Sequence, residues 1–93
     1  MPYGQFMDTV YVSAYETEVE ESTFIARKGI LESIKDRFGN IELRLISIED
    51  VQRYRTWLLS NNGAGFSQAY ASLIFGIFRR SLDMAVELQI FRG

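Results

Sequence analysis

The sequence predicts an all-α fold: a four-helix orthogonal bundle forming one domain over residues 1–93. Three observations point there. Apolar residues return every three or four positions through most of the chain. Breakers interrupt that rhythm at "FGN" and "SNNGAG". A two-residue alternation occurs in one place, "NIELRLIS", and a single strand has no sheet to join. The length, with 47% hydrophobic and 24% charged residues, suits one folded core.

The first helix is placed over residues 6–15, where Phe6, Met7, Val10, Tyr11, Ala14 and Tyr15 share a face. "TVYV" within it is β-prone and is the one available partner for a strand. Ser22 or Thr23 then caps a second helix with Phe24, Ile25, Ile30, Leu31, Ile34 and Phe38 as its apolar positions. Gly29 weakens that helix by about 1 kcal/mol relative to Ala, and Gly39 offers a left-handed stop. "NIELRLIS" follows as an extended, partly buried linker.

Ser47 and Asp50 approach the capping-box pattern and open a third helix, which buries Ile48, Val51, Tyr54, Leu58 and Trp57. "SNNGAG" ends it as a turn. Ser67 caps the last helix, which runs to Leu88 and spans about 30 Å at 1.5 Å per residue. Its apolar surface holds Tyr70, Leu73, Ile74, Ile77, Phe78, Ser81, Leu82, Ala85 and Leu88. Arg79, Arg80, Asp83 and Glu87 lie on a polar stripe.

Composition removes several functions. Without cysteine or histidine there is no disulfide framework, no thiolate nucleophile and no imidazole for zinc or for acid–base work near neutral pH. No cofactor is expected, and the chain by itself is not expected to be an enzyme. Glu49 and Asp50 fit a first helical turn better than a catalytic pair. "SNNGAG" has neither the lysine of a P-loop nor the spacing of a dinucleotide fingerprint. Tyr3, Tyr11, Tyr15, Tyr54 and Tyr70 are read as packing residues or interfacial hydroxyls, and Trp57 as a helix-packing residue. No apolar run reaches the roughly 20 residues of a membrane span, so a cytoplasmic protein without membrane contacts is expected.

The net charge of −2 conceals a division. Residues 1–21 carry five acidic side chains and no Lys or Arg, whereas residues 22–93 carry ten basic against seven acidic, a balance of +3. Arg27 and Lys28 fall early in the second helix, and Lys35 returns to the side of Lys28 two turns later. Such a row either straddles successive phosphates or forms a solvated face balanced by Glu32 and Asp36. Arg79 and Arg80 add positive charge on a second element, while Arg53 and Arg55 flank Tyr54 as rim residues.

Taken in order, "STFIARKGILESIKDRFG", "LRLISIEDVQRYRTWL" and "GFSQAYASLIFGIFRRSLDMAVELQIF" resemble the core-binding, SAM-like domain of phage integrase-type tyrosine recombinases. The resemblance covers residues 22–91, with residues 1–21 as an acidic first helix and flank. It implies a four-helix core-binding SAM-like domain that forms half of a clamp on duplex DNA and positions it for a separate catalytic domain. By position, Thr23, Arg27 and Lys28 match residues that approach DNA. Ser67 matches the serine opening the last helix, and Ala85 with Val86 the closing core pair. Where relatives commonly carry polar residues early in the last helix, this chain has Ala69, Tyr70, Ser72 and Leu73, and Arg92 and Gly93 stand where "NP" is usual.

The expected DNA-contacting set is therefore Thr23, Arg27, Lys28, Lys35, Arg79 and Arg80. The catalytic domain and neighbouring recombinase protomers are further expected partners. The competing expectation is a helical protein-interaction module with little DNA affinity, drawn from the acidic first segment and the apolar Tyr70 and Leu73.

Overall fold

The computed structural model describes residues 1–88. In chain order it contains α1 (Tyr3–Phe6), a π-helical turn (Met7–Tyr11), α2 (Val12–Glu18), α3 (Glu21–Phe38), a 3-10 turn (Leu43–Leu45), α4 (Ile48–Leu59) and α5 (Gln68–Glu87). Backbone angles at Phe6 and Tyr11 stay right-handed and helical, so α1, the π turn and α2 form one continuous rod. The result is the expected all-α bundle of four rods. The end of "SLDMAVELQI" and the Arg92–Gly93 replacement of "NP" lie outside the described residues.

The first rod is longer than periodicity predicts, and its π turn has a packing consequence. Tyr3, Met7, Tyr11 and Tyr15 are buried and recur every four residues, a spacing that overshoots a regular helical turn by about 40° each time. The wider π turn takes up that drift and holds the four on one line. "TVYV" is thus helical; its β propensity yields to the burial of this face.

Only Val19 and Glu20 separate α2 from α3, and both are extended. The chain therefore re-enters helix at Glu21. Ser22 and Thr23 sit within the first turn, and Glu20 takes the N-cap position with no side-chain bond, correcting the expected cap.

Gly39 is not a left-handed stop. Its φ and ψ are −58° and −32°, in the right-handed region. Glycine serves close approach there: Gly4 N–H donates to Gly39 carbonyl oxygen at 3.0 Å, and a Cβ on Gly39 would collide with Lys35 carbonyl oxygen. The linker beyond it pairs with the chain start rather than with "TVYV". Tyr3 N–H donates to Ile41 (2.8 Å), and Leu43 N–H to Met1 (3.0 Å), around an isolated antiparallel bridge of Pro2 with Glu42. The 3-10 turn breaks the alternation, burying Leu43 and Ile46 and exposing Leu45.

Each rod supplies one ring to a central aromatic cluster: Tyr3, Phe38, Tyr54 and Phe78. Phe38 stacks on Phe78 at 4.5 Å between centroids. Tyr54 meets Phe78 edge-on at 5.3 Å, and Tyr3 does so at 5.9 Å. Such edge-to-face contacts each contribute about 0.5–1.5 kcal/mol beyond burial. Beside them Tyr3 hydroxyl meets Ser81 Oγ at 2.7 Å, joining the first rod to α5.

The Ser47–Asp50 capping box forms as expected. Asp50 N–H donates to Ser47 Oγ and Ser47 N–H to the Asp50 carboxylate, which holds that carboxyl below its usual range. Ser67 Oγ caps α5 by accepting from Tyr70 N–H. The apolar stripes are narrower than predicted. Ile25 lies off the line of Phe24, Leu31, Ile34 and Phe38, while Ile48 opens α4 before that helix reaches the core; both are exposed. Val51, Leu73 and Leu82 are half-buried. Tyr70 is exposed and packs on Phe66 instead of the core. Leu88 is exposed, and of the closing pair Ala85 is buried while Val86 faces out.

Candidate functional site

The six expected DNA-contacting residues fall into two groups. Arg27, Lys35 and Arg80 are each held by the first rod. Arg27 Nη1 donates to Tyr15 hydroxyl at 2.9 Å, Lys35 Nζ pairs with Asp8 at 2.9 Å, and Arg80 pairs with Glu18 at 3.6 Å. The hydrogen bond to Asp8 is the main reason that Lys35 holds its proton more tightly than usual. Lys28 and Arg79 are exposed and make no ion pair among the described residues; Thr23 is half-buried. Lys28 and Lys35 share one side of α3, whereas Arg80 reaches the same acidic rod from α5. The structure thus joins α3 and α5 cations through the first rod's carboxylates, not as one bare basic face.

A different arginine stands in an open cleft between the end of α3 and α4. Arg37 precedes buried Phe38 at the end of α3 and therefore turns outward, over α4. Its guanidinium carbon lies 4.5 Å from the Trp57 ring centroid, 5.4 Å from Tyr54 and 6.0 Å from Phe38. Trp57 stacks on Tyr54 with an interplanar angle of 13° and keeps 39% of its surface exposed, less packed than predicted. Behind it the loop comes so close that a Cβ on Gly63 would sit 2.6 Å from Trp57 Cδ1. Burial pushes the Tyr54 hydroxyl up to about 12, with Arg37 pulling the other way. The cleft, about 650 Å³, is also lined by Glu49, Gln52, Arg53, Thr56 and Asn62.

The sequence reading missed Arg37, because charge spacing along α3 favours the Lys28–Lys35 row. The available signal was an arginine immediately before the last apolar residue of the helix, which leaves about 100° around the axis from it, at the flank of the core face. Nine residues separate Lys28 from Arg37, so the two lie about half a turn apart around α3. Next to this cleft runs a smaller groove of about 380 Å³, lined in part by Tyr54, Trp57, Phe66, Tyr70 and Ile74.

Among the described residues no group of three or more His, Cys, Asp and Glu side chains converges to hold a metal ion, and no helix is long and apolar enough to cross a membrane. Four rods on a shared aromatic centre, with cations paired to the first rod and an arginine stacked over α4, define a small helical domain of the SAM-like class. The chain belongs to the phage integrase N-terminal SAM-like domain family, whose model matches residues 3–59. That match begins at the first residue of α1 and ends at the last of α4, so it takes in the whole first rod and stops short of α5. No curated protein and no solved structure matches the chain.

Proposed function

We propose that this is a non-catalytic duplex-DNA-binding domain of a site-specific recombinase or integrase of the tyrosine type. It forms half of a clamp that positions DNA for a separate catalytic domain. The carrying observation is the family membership of residues 3–59, a span that contains α3 with Thr23, Arg27, Lys28 and Lys35. Lys28 and Arg79 offer charge to phosphates directly. Lys35 and Arg80 exchange a surface carboxylate for a phosphate at little expense, since exposed ion pairs contribute only about 0–1 kcal/mol. Each neutralised phosphate releases counterions, so affinity falls as salt rises.

Titrating a labelled duplex at low and moderate salt tests this reading. Binding at low salt that declines linearly with log salt concentration is expected. Lys28→Ala with Arg79→Ala flattens that slope by about two, roughly one per lost phosphate contact. Absence of binding at low salt, or an unchanged slope in the double variant, refutes it.

A second reading is supported by the groove beside Tyr70, where Phe66, Tyr70 and Trp57 are all exposed. In that case the domain is a helical protein-interaction module with little DNA affinity, and chemical-shift changes on adding a partner centre on these three rings.

A further inference from the structure

We propose that the cleft between the end of α3 and α4 is a phosphate-binding site, with Arg37 and Arg53 as its cationic groups, separate from the Lys28 and Lys35 side. The inference rests on the DNA-binding reading for the source of the phosphate, a nucleic-acid backbone.

Four features support it. Arg37 has no carboxylate partner among the described residues; its guanidinium carbon sits over aromatic rings instead, with Trp57 nearest at 4.5 Å. A guanidinium held over rings commits none of its N–H donors to a carboxylate, and two parallel donors of its fork match two phosphate oxygens. The platform is itself fixed: Tyr54 is buried beneath Trp57, and the Gly63 loop closes on the indole, with Ala64 N–H donating to Trp57 carbonyl oxygen at 3.0 Å. Arg53 lies on the same cleft, held only by a 3.7 Å contact to Glu49 with both side chains largely exposed, so a backbone phosphate recruits it readily. Gln52, Thr56 and Asn62 add neutral side-chain donors to the lining. Glu49 opposes binding and leaves the charged lining at two cations against one carboxylate.

Trp57 is the sole tryptophan of the chain, so indole emission excited beyond the tyrosine band reports on this one ring, and the Arg37 variants tie its response to the cleft rather than to the adjoining groove. At low salt, saturating duplex is expected to change Trp57 emission. Arg37→Gln weakens the duplex by roughly tenfold and removes that change. Arg37→Lys, which keeps the charge but loses the fork, falls between, and Lys28→Ala weakens binding while the emission change at saturation persists. Circular dichroism melts confirm that each variant folds. A duplex that binds, by anisotropy of a labelled strand, without moving Trp57, or that binds Arg37→Gln as well as the parent, overturns the cleft and leaves the DNA-binding reading intact. If no duplex binds, that reading falls and inorganic phosphate decides the cleft. An Arg37-dependent emission change then supports it as a site for free phosphate, and no change overturns it.

Discussion

The Tyr3 hydroxyl lies 2.7 Å from Ser81 Oγ, with both side chains fully buried and the residues at opposite ends of the chain. Ser81 Oγ also donates to Phe78 carbonyl oxygen at 2.6 Å, so its single proton is committed and Tyr3 is the donor to it. Removing either partner therefore has unequal effects. Tyr3→Phe leaves Ser81 bonded and is expected to cost about 1 kcal/mol. Ser81→Ala strands a buried hydroxyl and costs about 2–3 kcal/mol. The double variant should lose less than the sum, and urea unfolding of the four proteins measures the cycle.

Gly4 and Gly39 let the first rod rest on the end of α3. A Cβ on Gly4 would lie 3.1 Å from Gly39 carbonyl oxygen, and one on Gly39 would strike the α3 backbone. Gly39→Ala is expected to destabilise the domain by about 1–3 kcal/mol through overpacking. Gly29 and Gly76 are the contrast, being helical with open space where a Cβ would stand. Alanine at either should stabilise by about 0.5–1 kcal/mol, so thermal melts of the three variants should move in opposite directions.

Alkaline stability follows from three buried phenols, Tyr3, Tyr11 and Tyr54, of which Tyr3 is raised furthest. Burial pushes both Tyr11 and Tyr54 up to about 12, from an ordinary value near 10.0. A folded-state value above the unfolded one contributes stability that is complete below about pH 10 and is lost as pH rises from 10 to 12. The urea midpoint should thus fall steeply across that window. The late phenolate absorbance near pH 12 should shrink in Tyr11→Phe and Tyr54→Phe, while Arg37→Gln should move the Tyr54 phase higher still.

If the domain binds DNA as proposed, Asp8 and Glu18 compete with its phosphates for Lys35 and Arg80. Both pairs are substantially exposed, so Asp8→Asn and Glu18→Gln should change stability by no more than about 1 kcal/mol. Duplex affinity at low salt should rise severalfold in each, and most in the double variant. Anisotropy titrations beside thermal melts check both halves of this expectation.

Much of the bundle was legible because its determinants are local. The Ser47–Asp50 box, the Ser67 cap and the buried set Phe24, Ile30, Leu31, Ile34 and Phe38 each depend on residues within a few turns. The failures are also local rules overruled from a distance. The predicted cap at Ser22 or Thr23 gave way because the α2–α3 link is only two residues, and the Gly39 stop gave way to packing against Gly4. The first rod outran its predicted bounds because Tyr3 packs against Phe38 and Phe78, contacts that no window around Tyr3 contains.

The amino-acid sequence alone determined an all-α chain without cysteine or histidine, the Ser47 and Ser67 caps, and the acidic start ahead of a basic body. Tertiary packing decided which of the cations are free. Helical period places a side chain around its own axis, but whether a carboxylate waits opposite depends on how separate rods cross. That crossing ties Arg27, Lys35 and Arg80 to Tyr15, Asp8 and Glu18, leaves Lys28 and Arg79 exposed, and sets Arg37 over Trp57.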